Sequence, residues 1–112
     1  TCFLHVCNRD VNLDYYRDYD EKLYDVVNWG TFEVPCSLKE GREIFHQRTV
    51  MGGLANRQGV LAAGSEEALV NTIRSVTETY GRKGFILGAD CTVATEQDLS
   101  RIRLAVDTAR KL

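Results

Sequence analysis

Four short apolar runs punctuate the chain: Cys2–Val6, Tyr24–Asn28, Thr49–Met51 and Gly84–Leu87. They are largely unalternated between apolar and polar residues, the pattern of strands buried on both faces of a parallel sheet. Between them the spacing turns helical. Leu69, Ile73, Val76 and Tyr80 make one apolar stripe and predict a helix over Ser65–Tyr80. Ser65 caps it, Glu66 and Glu67 stand in its positive first turn, and Gly81 ends it. The stripe Leu99, Ile102, Val106 and Ala109 predicts a last helix over Glu96–Lys111. Thr95 and Asp98 have capping-box spacing before it, and Arg110 and Lys111 suit its negative end. Ser37 and Glu40 form another capping-box pair, ahead of a shorter helix over Leu38–His46. The interior Gly41 of that helix costs about 1 kcal/mol relative to alanine. The charged, tyrosine-rich segment Leu13–Leu23 reads as a helix with one wet face.

The order is therefore βαβαβαβα, four βα units with parallel strands. In such α/β proteins the loops after the strands carry the chemistry. Here they start at Cys7, Asn28, Gly52 and Gly88, and the third, Gly52–Gly64, is the long one with an irregular segment around Gly59. Two architectures fit this pattern. One is an open sheet with helices on both faces. The other is half of a closed (β/α)8 barrel, which takes about 250 residues when complete. The chain opens inside an apolar segment and without methionine, which favours a piece of something longer.

Composition narrows the function classes. The 112 residues make room for one domain, residues 1–112, and 44 % apolar with 27 % charged residues is the balance of a folded protein. The net charge of -2 and the absence of a basic patch argue against a nucleic-acid partner. No apolar run approaches the roughly 20 residues that cross a bilayer. Nor do the first residues form a signal peptide, so no membrane is expected and the expected location is cytoplasmic. Without a secretory signal, the four cysteines read as free thiols or metal ligands rather than as two disulfides.

Three residues stand out chemically. His5 and Cys7 are two apart on a strand, so their side chains point the same way near its C-terminal end. Cys91 follows the fourth strand by four residues and lies at the same end of the sheet. Two thiolates and an imidazole are three ligands of a tetrahedral zinc site with its fourth position open, as a catalytic zinc requires. Such a set holds zinc firmly at neutral pH and suits thiol activation better than hydrolysis. The alternative from pattern alone is a satisfied core histidine beside buried free thiols. Cys2 reads as packed, Cys36 as partly exposed before a helix cap, and His46 as a surface or helix-end residue.

Four motifs recur in order at the ends of these strands: Leu4-His5-Val6-Cys7-Asn8, Asn28-Trp29-Gly30, Val50-Met51-Gly52-Gly53-Leu54, and Gly84 to Val93 around Asp90-Cys91-Thr92. Through them nearly the whole chain resembles the C-terminal part of the uroporphyrinogen decarboxylase superfamily, a family of (β/α)8 (TIM) barrels. The resemblance implies the C-terminal half of that barrel, strands five to eight. It is closer to the branch that passes methyl groups between corrinoid proteins and coenzyme M than to the decarboxylases. The methyltransferase branch uses H-x-C on one strand and a cysteine after the last strand as zinc ligands, which implies His5, Cys7 and Cys91 here.

The implied activity is zinc-dependent methyl transfer between a corrinoid protein, which carries methylcobamide, and a thiol or other small-molecule acceptor or donor. Asp90 is then the expected catalytic residue beside Cys91, and Asn28, Trp29, Asn56 and Arg57 the expected substrate-binding residues. The missing N-terminal half-barrel, or a second copy, would complete the sheet. Ala89, Asp90 and Thr92 depart from the proline and glycines usual around the last cysteine of the methyltransferases. Ala55-Asn56-Arg57 departs from the aspartate and proline usual in the decarboxylases. The rival readings are a metal-independent carboxy-lyase of tetrapyrrole biosynthesis and an inactive barrel fragment.

Overall fold

A computed structural model describes the whole chain, Thr1–Leu112. Strands β1 (Phe3–Val6), β2 (Val26–Trp29), β3 (Thr49–Leu54) and β4 (Phe85–Ala89) form one parallel sheet in sequence order. Helices α1 (Leu38–Ile44), α2 (Gly59–Ala62), α3 (Glu66–Tyr80) and α4 (Leu99–Lys111) connect and follow them. A parallel four-stranded sheet alternating with helices is thus the architecture, as the periodicities predict. No helix is long and apolar enough to cross a membrane.

Strand register assigns the two faces. Leu4, Val27, Val50 and Phe85 stand side by side on one face, with Val6 beside Trp29 and Leu54 beside Ala89. This face packs on the helices. Leu38 and Ile44 of α1 join Val6, Val27, Trp29 and Val50 in one core cluster. Leu61, Leu69, Ile73 and Ala105, from the other three helices, join Leu54 in the second. The opposite face carries the row His5, Asn28, Met51 and Ile86 and has no helix over it. Phe3 and Ile86 on that face are 58 % and 38 % exposed. Of the two expected arrangements, the one with helices on both faces is therefore absent.

Caps account for the helix starts. Ser37 and Glu40 make both halves of the expected capping box, and Ser65 accepts from the Ala68 amide. Gly81 ends α3 at φ 74°, a conformation open to glycine. Three expectations need correction. Leu13–Leu23 is not a helix but two 3-10 turns, Leu13–Tyr16 and Glu21–Leu23. Asn12 and Asp20 each accept an amide two residues on, at Asp14 and Lys22, and so hold separate short turns. The last helix starts at Leu99 rather than Glu96, because Asp98 is itself the cap, accepting from Ser100. Leu99 is accordingly 76 % exposed and outside the stripe, whose buried centre is Ala105. Cys2 is exposed rather than packed, since β1 begins one residue later.

Candidate metal centre

The sheet curls enough to bring its first and last strands together at their C-terminal ends. Neighbouring strands lie about 4.8 Å apart, so β1 and β4 would be far from contact across a flat sheet. Yet the His5 Nε2, Cys7 Sγ and Cys91 Sγ atoms all lie within 4.8 Å of one another. Cys7 Sγ is 3.5 Å from Cys91 Sγ, which is 3.4 Å from His5 Nε2. With metal–sulfur bonds near 2.3 Å, tetrahedral ligands lie roughly 3.6–3.8 Å apart. The two close contacts fall near that spacing, so the three residues fit a metal ion. His5 Nδ1, on the far side of the ring, lies 2.6 Å from Asn28 Oδ1.

The two thiols are unlike. The Cys91 contact and its charge, more than burial, raise the Cys7 thiol above its ordinary value. Burial alone would raise Cys91 as well, but the Thr92 amide, the Cys7 thiol and His5 together hold it below its ordinary value. The two sulfurs share one contact, in which either thiol can donate to the other.

A polar cleft of about 460 Å³ adjoins the cluster, lined by Cys7, Cys91, Arg9, Glu33, Asn56 and Arg57. A second, of about 370 Å³, continues past Arg57 and Phe32 to Asp90. Arg9 and Glu33 pair loosely across the mouth at 3.9 Å. The apolar groove of about 450 Å³ between β4 and α4 includes neither thiol and only one charged residue, Arg110.

The expected site residues divide by position. Arg57 is exposed at the cleft, and Asn56 beside it donates to the Thr92 carbonyl at 2.9 Å. Asp90 is 1 % exposed. Its carboxylate accepts from the Thr31 hydroxyl at 2.7 Å and from the Phe32 and Gly53 amides at 3.2 and 3.3 Å. It thereby ties the loops after β2 and β4 to the end of β3. Burial raises the Asp90 carboxyl above its ordinary value, against the pull of those three donors.

Asn28 is 5 % exposed and lies behind His5 rather than in the open cleft. Trp29 requires correction as a substrate contact. Its side chain is fully buried on the helix-covered face, against Phe45, and its Nε1 donates to the Cys36 carbonyl at 3.0 Å. One position along a strand reverses the face, so Asn28 and Trp29 cannot both point toward the cluster. Thr31 and Glu33 were not among the expected site residues. Their signal was their place in the loop directly after β2, at the chemically active end of the sheet.

Fold and cluster together define a parallel α/β protein with a thiol–imidazole site, suited to a metal, at the C-terminal ends of its strands. No protein-family model matches the chain, and no curated protein matches it.

Proposed function

We propose that His5, Cys7 and Cys91 hold a zinc ion. We further propose that the chain is the C-terminal half of a (β/α)8 barrel of the uroporphyrinogen decarboxylase superfamily, in its zinc-dependent methyltransferase branch. One observation carries the reading: the three side chains that the family resemblance marks as ligands converge within 4.8 Å, although Cys91 stands 84 and 86 positions from Cys7 and His5. The helix-free sheet face supports the half-barrel, because in a closed barrel that face is the filled interior. The missing half-barrel or a second copy of the chain would cover it.

Bound zinc would supply Lewis-acid stabilisation of a thiolate, making a thiol acceptor nucleophilic at neutral pH. The rest of the work falls to the chain. The cleft beside Cys7 and Cys91 would hold the small-molecule acceptor, and Arg57 and Asn56, which line it, would fix its orientation. Asp90, with both oxygens engaged inside the protein, keeps the loop that carries Cys91 in place. A corrinoid protein docked over the strand ends would be the other partner in methyl transfer, supplying the methyl group or taking it up. A metal-independent carboxy-lyase is less well supported, since it gives the adjacent thiols and imidazole no role.

The test is elemental analysis of protein purified without chelator, beside His5→Ala, Cys7→Ser and Cys91→Ser. One zinc per chain, lost or weakened in each variant, is expected. Full zinc retention in both cysteine variants would overturn the site, and zinc-free wild-type protein would overturn the methyltransferase reading.

A further inference from the structure

Asn28 sits in the middle of the sheet, beside His5 on one neighbouring strand and Met51 on the other. Its side-chain amide group donates to the Met51 carbonyl at 2.9 Å and to the Ala89 carbonyl at 3.3 Å. Both N–H bonds of that group are then used. A flipped amide would press its oxygen against two carbonyl oxygens, so the partners decide the orientation. Oδ1 is the atom left to meet His5 Nδ1 at 2.6 Å, and an amide oxygen only accepts. Nδ1 must therefore carry the ring proton. In the neutral imidazole this leaves the lone pair on Nε2, the atom 3.4 Å from Cys91 Sγ.

We infer that Asn28 is the positioning residue of the metal site, holding His5 in the Nδ1–H tautomer with Nε2 free to bind a metal. The inference rests on the reading of His5 as a ligand and adds how that ligand is prepared. Ligating histidines are generally held through the nitrogen that does not bind, and losing that partner weakens metal binding by about 10- to 100-fold. Asn28 also does something a simple acceptor would not. Through the Ala89 carbonyl it grips the strand that delivers Cys91 two residues later. One side chain thus sets both a nitrogen ligand and the approach to a sulfur ligand. Aspartate could accept from His5 but could not donate to Met51 or Ala89. Leucine, of similar size, could do neither.

The test uses the whole chain with histidine labelled by nitrogen-15. The chain has two histidines, and the exposed His46 serves as the reference. Long-range proton–nitrogen correlation spectra of chelator-treated protein at about pH 8, where imidazole is neutral, report the tautomer directly. His5 is expected as Nδ1–H in the wild type and in Asn28→Asp, and to lose that preference in Asn28→Leu. Zinc affinity, read by competition with a chromophoric chelator, is expected to fall about 10- to 100-fold in Asn28→Leu and to recover in part in Asn28→Asp.

Both variants lack the ties to Met51 and Ala89, and aspartate turns an oxygen toward those two carbonyls, so a purely structural role would leave Asn28→Asp no tighter than Asn28→Leu. Equal affinities would overturn the inference. So would an Nε2–H tautomer in the wild type, a measurement that needs no variant to fold. Absence of zinc binding in the wild type would instead strike the metal reading on which the inference stands, and the tautomer result distinguishes the two failures.

Discussion

The ring of Trp29 fills the space that a side chain on Gly41 would need: a Cβ there would stand 2.1 Å from the nearest ring carbon. This relationship turns an apparent weakness of α1 into a packing requirement. Alanine would gain about 1 kcal/mol of helix propensity, whereas overpacking a core costs about 1–3 kcal/mol. The contact is deep and the ring is fully buried, so the clash wins. Gly41→Ala is expected to lower stability by about 1–2 kcal/mol in urea denaturation, and a more stable variant would show that the ring can move aside.

Asp90 serves three donors from two other segments. Asp90→Ala leaves the Thr31 hydroxyl and the Phe32 and Gly53 amides without that partner, and an unmet buried donor costs about 1–3 kcal/mol. The expected loss is about 3 kcal/mol, against about 1 kcal/mol for Thr31→Val. Denaturation curves showing equal losses would mean that the two backbone contacts contribute little.

Glu40 makes stability depend on pH in a definite direction. Its hydrogen bonds from Ser37 hold its carboxyl below the ordinary 4.5. A lowered folded value means that the contribution is present above 4.5 and is lost as pH falls through the folded value. The difference in melting temperature between wild type and Ser37→Ala should therefore be largest near neutral pH and narrow below 4.5. It should not vanish there, because the bond from the Glu40 amide to Ser37 Oγ does not need an ionised carboxylate. A pH-independent difference would assign the whole effect to that cap.

The 3.5 Å separation of Cys7 and Cys91 predicts where metal-free protein will oxidise. One of the two thiols, as thiolate, would attack diamide, and the other would then displace the reduced diamide to form the disulfide. Both protons and both electrons pass to the diamide. Two of the four thiols should disappear, and peptide mapping should find Cys7 joined to Cys91. Zinc should slow the reaction. A main product containing Cys2 or Cys36 would contradict the geometry.

The caps of α1 and α3 and the α3 stripe were legible in the sequence because they act locally: Ser37 with Glu40, and Ser65 with Leu69 and Ile73. The start of α4 was not, since Asp98 rather than Thr95 is its cap and Leu99 and Val106 of the expected stripe are exposed. Leu13–Leu23 was not, because apolar spacing takes no account of Asn12 and Asp20 bonding their own chain two residues ahead. The convergence of His5, Cys7 and Cys91 was legible only as a placement at one end of the sheet. Their actual distances depend on curl across four strands, which no local pattern encodes. Trp29 shows a different limit. Its strand period already opposed it to Asn28, but motif adjacency drew both toward the mouth. The role of Asn28 depended on which strands lie side by side, and that follows from topology.

Cys7 and Cys91 are 84 positions apart. An ion held between them would therefore not organise a short local loop, as in a compact zinc finger. It would close a loop spanning most of the chain, a constraint that for a covalent cross-link of this length would remove about 4.5 kcal/mol of unfolded-state entropy. The ligands meet only after the sheet has assembled from end to end. Metal capture would then be a late event in folding, and the rate at which a refolding chain takes up zinc would time the completion of the sheet.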